Sequence, residues 1–159
     1  MTRIVNMAGV KTLWAAPGEA LPQLANMWIY VLPRSVSSHL TLTSAVPKNA
    51  LEFTPGAGPD RDLAYIFYSN FEAVPMTYQS SQVDRAKIVG CVISHEIGHL
   101  LLNAPSHSPA GILRPTWDRW AMLYAGYGQL LFTRQQAKLI RRAVDRRRQA
   151  LGLLQIGSY

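Results

Sequence analysis

The stretch from Ser81 to Asn103, SQVDRAKIVGCVISHEIGHLLLN, carries apolar side chains at Val83, Ala86, Val89, Val92 or Ile93, and Ile97. That three-to-four spacing is the stripe of an amphipathic helix, not the alternation of a strand. Ser81 and Asp84 stand at capping-box spacing at its start, and Pro105 forbids continuation past its end. Asn103 is of the residue type that, after glycine, most readily takes the left-handed conformation closing a helix. The expectation is a long helix ending near Asn103, then a reversal of the chain.

On such a helix His95 and His99, at i and i+4, project from one face about one turn apart. Two imidazoles so placed can share one zinc ion at ~2.0–2.1 Å per bond. Glu96 is turned ~100° from His95, close enough to address a water on that metal without being forced to ligate it. A catalytic zinc site takes a third protein ligand and leaves a position open for water. His107, arriving after the reversal, is the preferred third ligand, and Asp118 in PTWDRWAMLYAGYG stands as the alternative. No glutamate follows Glu96, which disfavours a site completed by a downstream glutamate. Gly98 keeps the second variable position of HEIGH small, whereas His39 has no partner near it in sequence and reads as a turn or surface residue.

Outward from this helix the pattern is mixed. TRIVNMAGV (2–10) reads as a short strand ending in a turn, and NMWIYVLP (26–33) as a second, closed by Pro33. Between them KTLWAAPGEALPQLA, broken by Pro17, Gly18 and Pro22, has room for a couple of helical turns. HLTLTSAV (39–46) alternates as a half-buried strand does, ALEFTPGAGPDRD (50–62) passes from a short strand into a turn, and LAYIFYS (63–69) reads as a buried strand of the same sheet. After the proline-rich loop APSHSPAGILRPTW, DRWAMLYAGYG suggests a short helix. TRQQAKLIRRAVDRRRQALGLL (133–154) is a surface helix opened by a Thr133/Gln136 capping box. The fold class is α+β, a mixed twisted sheet packed on the histidine-bearing helix with a further helix at the C-terminal end.

A length of 159 residues fits one domain, 1–159, with enough chain to bury a real core. With 48% hydrophobic and 16% charged residues the composition is globular, and no apolar run has the length of a membrane span. The start of the chain lacks the apolar core of a signal peptide, so no export address is read from it. Cys91 is the single cysteine, which rules out an internal disulfide and a thiolate metal cluster; it reads as a small buried hydrophobe. The formal charge of +7 is concentrated from Thr133 onward, in Arg134, Lys138, Arg141, Arg142, Arg146, Arg147 and Arg148 against Asp145. Such a helix reads first as a solvated face, so nucleic acid is not the expected partner. Trp117, Trp120, Tyr124 and Tyr127 read as core or cleft lining.

These residues resemble the metzincin zinc peptidases, in particular their matrixin-like bacterial members, whose pattern is a helix with HExxH, a glycine turn, a third histidine and a methionine turn beneath the metal. The resemblance covers the end of the helix and the loop after it, with weaker support from LAYIFY and the following helix. It implies a zincin fold, shortened here at the N-terminus because 11–25 is too short for the family's long first helix. It implies zinc held by His95, His99 and His107, and a strand beside the cleft that pairs with an extended peptide, for which LAYIFY is the candidate. Glu96 would then be the general base, taking a proton from the attacking water and passing it to the leaving amine. The family's spacing puts glycine at Leu102 and the third histidine at Pro105, where this chain offers Asn103 and His107 instead. Leu113 occupies the position of the methionine. The implied activity is a zinc-dependent endopeptidase acting on a peptide or protein, with a catalytically impaired binding domain of the same fold as the alternative. Secretion is likewise suggested by the resemblance alone.

Overall fold

A computed structural model of the chain describes residues 1–19, 26–33, 50–53, 62–73, 84–102 and 107–152. The described residues form five helices and a three-stranded mixed sheet, an α+β arrangement as expected. The strands are β1 (Trp28–Leu32), β2 (Glu52–Phe53) and β3 (Leu63–Phe67), in the order β1-β3-β2. β1 runs parallel to β3 with Tyr30 opposite Tyr65, and β2 runs antiparallel to it with Glu52 opposite Ile66.

LAYIF is therefore the central strand. Ala64, Ile66 and Phe67 are fully buried, which explains its continuous apolar run. Its neighbours on both sides are taken at Tyr65 and Ile66, so the expected pairing of LAYIFY with a peptide is not open to it; among the described strands the edges are β1 and β2. The face opposite the core carries an aromatic row, with the Tyr65 ring 5.7 Å from Tyr30 and 6.5 Å from Phe53.

The first segment is a correction. TRIVNM forms helix α1 (Thr2–Met7) instead of a strand. Ile4, Val5 and Ala8 are its buried residues, a helical spacing that packs against the long helix and outweighs the β preference of Ile4 and Val5. Gly9, at φ +85°, ends it: the amides of Gly9 and Val10 donate to the carbonyls of Asn6 and Val5 in a Schellman closure. A second helix not foreseen, α2 (Tyr68–Ala73), follows β3 directly.

The long helix α3 (Arg85–Leu102) is buried from Cys91 to Gly98 almost without interruption. It is central to the core because the sheet, α1 and the later helices all pack on it. Asp84 caps its start, its carboxylate accepting the Ala86 amide at 2.8 Å. Ser81, its expected capping partner, lies outside the described residues, as do Asn103 and Pro105, the strand expected at 39–46, His39 and the turn at 54–61. Helix α4 (Arg119–Gly126) starts at Asp118, and α5 (Arg134–Ala150) starts with the expected Thr133/Gln136 capping box complete in both directions. In α5 the inward residues are Gln136, Ala137, Ile140 and Ala143, with Leu139 left exposed.

The basic face of α5 is only partly a solvated one. Arg147 donates to the Asp62 carboxylate at 2.7 Å and to the Leu100 carbonyl near the end of α3, while Arg141 donates to the Ala8 carbonyl at 2.9 Å. Both guanidinium groups satisfy carbonyls at helix ends and tie α5 across the core. Cys91 is fully buried as expected, and burial pushes its thiol up to about 11. Trp120 and Tyr124 depart from the expected core or cleft role, being exposed on α4, whereas Trp117 packs against the core. No helix among the described residues is long and apolar enough to cross a membrane.

Candidate metal centre

Helix α3 delivers His95 and His99 to one point. Their Nε2 atoms lie 2.8 Å apart, and their rings meet edge to face with centroids 4.5 Å apart. His107 lies against both, its ring centroid 4.8 Å from that of His99 and 5.4 Å from that of His95. One ring nitrogen from each of the three lies within 4.8 Å of the others, a group that could hold a metal ion. It runs from the buried His95 through the half-buried His99 to the exposed His107, so one side of the site is open to solvent.

The loop that carries His107 is fixed by hydrogen bonds at both ends. The Ser108 amide donates to the Leu113 carbonyl at 2.7 Å, and the Ile112 amide to the Leu131 carbonyl at 2.9 Å. The Gln136 side chain spans outward from the α5 cap to the Ala110 carbonyl at 2.8 Å. Gly111, at φ +71°, makes the turn possible, since a Cβ there would lie 2.6 Å from Gln136 Oε1 and 3.1 Å from the Leu131 carbonyl oxygen. Leu113 is buried beneath α3, and its Cδ2 would sit 2.7 Å from a Cβ at position 98. The small residue in HEIGH is thus required by the loop packed under it.

The same loop sets the chemistry of His95. Its Nδ1 lies 2.7 Å from the Ile112 carbonyl oxygen, which can only accept, so Nδ1 carries the hydrogen and Nε2 presents a lone pair to the site. Burial holds the His95 pKa down at about 3, aided by repulsion from His99 and His107 and opposed by the Ile112 hydrogen bond. A neutral imidazole with its free nitrogen aimed at two others is a metal-ligand donor set and a poor salt-bridge partner.

Two carboxylates face His95 Nε2. Glu96, nearly fully buried, places Oε1 4.0 Å away, and Glu52, from β2, places Oε1 3.7 Å away. Glu52, His95 and Glu96 form a second group whose ligand atoms lie within 4.8 Å of one another. Glu52 reaches the site because it is opposite Ile66, whose side chain faces α3; paired residues across a ladder share a face. Its carboxyl pKa is raised well above 4.5, by burial first and by the Glu96 charge second. Its Oε2 is buried with no hydrogen-bond partner among the described residues. The donor set thus suits a dication: three imidazole ring nitrogens within 4.8 Å of one another beside two carboxylates, and a buried Glu52 carboxyl oxygen that has no hydrogen-bond partner among the described residues.

Of the residues expected from sequence, His95, Glu96, His99 and His107 come together here. Asp118 does not: it caps α4 by accepting the Ala121 amide at 2.8 Å and pairs with Arg114 at 3.6 Å. Glu52 was not foreseen, and neither was the Ile112 carbonyl. Compared with models of protein families, with curated proteins and with solved structures, the chain matches none.

Proposed function

We propose that this chain is a zinc-dependent endopeptidase of metzincin-like type, with His95, His99 and His107 as the metal ligands and Glu96 as the general base. The observation that supports this reading is the convergence of three imidazole nitrogens within 4.8 Å, with the Glu96 carboxylate 4.0 Å from one of them. Three imidazoles on a solvent-open site suit a borderline divalent ion such as zinc, which when bound would supply a Lewis acid for a peptide carbonyl and acidify a water.

The remaining work falls to the chain. The Ile112 carbonyl holds the His95 ring in one tautomer and one orientation. Glu96, on the same helix, receives the proton of the attacking water and hands it to the leaving amine, turning a poor leaving group into a neutral one. Leu113 fills beneath α3 the position where the family resemblance places methionine, keeping the volume without the thioether.

Glu96→Gln keeps shape and removes the base. It is expected to retain zinc and to lose hydrolysis of an unfolded protein substrate by roughly 10²–10⁴-fold. Full activity in the variant removes Glu96 from the mechanism. Zinc bound by a wild-type chain that binds peptides and cleaves none would instead favour the non-hydrolytic binding domain.

A further inference from the structure

The ligand atoms around His95 fall into two sets, and hydrolysis as proposed draws its metal from one of them. The first set is His95, His99 and His107; the second is Glu52, His95 and Glu96, again with every donor atom within 4.8 Å of the others. Among the described residues the two sets share His95 alone. We propose that Glu52, His95 and Glu96 form a second divalent-cation position, suited to a harder ion of the Mn²⁺ class, whose occupancy excludes that of the three-histidine position.

Three observations carry it. The first is distance. Two donors bonded to one ion at ~2.0–2.2 Å stand at most ~4.4 Å apart. From His95 Nε2, Glu52 Oε1 is at 3.7 Å and Glu96 Oε1 at 4.0 Å, so each carboxylate is within reach of an ion on that nitrogen. The second is the unsatisfied oxygen. Glu52 Oε2 is buried with no hydrogen-bond partner among the described residues, a costly state for a carboxylate that an adjacent cation relieves. Two carboxylates also cancel the charge of a dication, which three neutral imidazoles leave uncompensated. The third is rigidity. His95 and Glu96 are consecutive on the buried part of α3. Just before Glu52, the Leu51 carbonyl accepts the Phe67 amide at 2.9 Å and the Ala50 carbonyl accepts the Asn70 side-chain amide at 2.6 Å. All three donors therefore stand on anchored backbone, the condition for a preorganised site. The Glu52 side chain is still 26% exposed, which leaves an ion a way in past the buried His95 and Glu96.

Exclusion follows from a single lone pair. His95 Nδ1 is held by the Ile112 carbonyl at 2.7 Å, so Nε2 is the one ring nitrogen left to ligate, and it serves one ion at a time. Choice between the positions follows from donor type. Imidazoles suit zinc, whereas carboxylates suit Mg²⁺, Ca²⁺ and Mn²⁺, and of these Mn²⁺ is the first-row ion that also accepts an imidazole. An ion held between the carboxylates takes Glu96 out of proton transfer. That consequence rests on the reading of Glu96 as general base; the cation position itself does not.

The test uses the full chain and Mn²⁺, whose free aquo ion gives an electron paramagnetic resonance signal that binding removes. Wild type is expected to bind about one Mn²⁺ per chain, to release it when Zn²⁺ is added, and to show in pulsed spectra the nitrogen coupling of a single imidazole. Glu52→Gln is expected to bind Mn²⁺ roughly ten-fold or more weakly, and His107→Ala to bind it as wild type does. For Zn²⁺ the order reverses, with His107→Ala the weaker variant. Mn²⁺ binding weakened as much by His107→Ala as by Glu52→Gln overturns the proposal, as does Mn²⁺ retained beside bound Zn²⁺. Nitrogen coupling from two or more imidazoles overturns it with no variant needed, which covers the case of variants that do not fold. Wild type that binds Zn²⁺ but no Mn²⁺ removes this position and leaves the three-histidine one standing. Mn²⁺ taken up through Glu52 by a chain that binds no Zn²⁺ upholds this position and brings down the zinc reading, so the two failures are distinguishable.

Discussion

His95 is the residue on which most of the site's physics converges. Its Nδ1 is committed to the Ile112 carbonyl, its Nε2 to the space shared by two histidines and two carboxylates, and its ring is buried. Gly98, one turn onward on α3, shows how tightly the loop beneath is fitted. A methyl group there would lie 2.7 Å from Leu113 Cδ2 and 3.0 Å from Phe132 Cε1. Gly98→Ala gains ~1 kcal/mol of helix propensity but overpacks a filled space at a cost of ~1–3 kcal/mol. Because Leu113 is fully buried and cannot swing into solvent, the cost is expected to win, lowering the urea midpoint. An unchanged or higher midpoint would show that Leu113 can retreat. Much of this scale is legible in sequence: HEIGH, with His107 beyond a proline-marked reversal, picks out the three histidines and the glutamate that the structure brings together. Glu52 is not, because no spacing rule links position 52 to position 95; only the ladder register opposite Ile66 turns it toward α3.

At the level of elements, the site depends on α5 although none of its residues touches the histidines in the contacts described. Gln136 closes the α5 capping box on Thr133 and also holds the Ala110 carbonyl of the His107 loop. Thr133→Ala is expected to cost about 1 kcal/mol in denaturant unfolding, the ordinary value of a lost N-cap. Gln136→Ala removes the loop anchor as well, so it should cost more and weaken metal binding, which equilibrium chelator competition would read. Equal effects of the two variants on metal affinity would contradict this coupling. The Thr133/Gln136 capping box and a long helix through HEIGH could be read from sequence because both depend on local spacing. The identity of α1 could have been: Ile4, Val5 and Ala8 sit at helical spacing, with Gly9 placed for a Schellman end. The β-branched side chains of Ile4 and Val5 suggested a strand, and packing against α3 decided otherwise.

For the whole molecule, the site makes stability depend on pH in a way that follows from two opposed groups. His95 has a folded pKa of about 3 against an ordinary 6.5. Between those values the unfolded chain holds a proton that the folded one lacks, so stability falls as pH drops through that window, by up to ~1.4 kcal/mol per pH unit. Glu52 acts in the opposite sense. Its folded pKa is raised above 4.5, so as pH rises past 4.5 the unfolded chain releases a proton that the folded chain keeps, and stability falls. The two contributions oppose each other above about 4.5, leaving the His95 loss uncompensated between about 4.5 and 3. Chelator-treated protein is therefore expected to lose melting temperature across that lower window, and His95→Gln to flatten the loss. The same slope in the variant would assign the loss to other groups. The α+β class and the central strand LAYIF follow from the sequence pattern, because burial on both faces leaves a continuous apolar run. The pairing order does not, since β1 and β2 reach β3 only through contacts distant along the chain.

The central claim is that three histidines hold one metal. The measurement that tests it most directly is the zinc content of protein purified without added metal, in wild type and in His107→Ala. The account predicts about one zinc per wild-type chain, the stoichiometry of a single three-histidine site, and its loss in a variant that keeps the wild-type circular dichroism. Folded wild-type protein without zinc that also takes up none on titration, or zinc retained undiminished by His107→Ala, would contradict it.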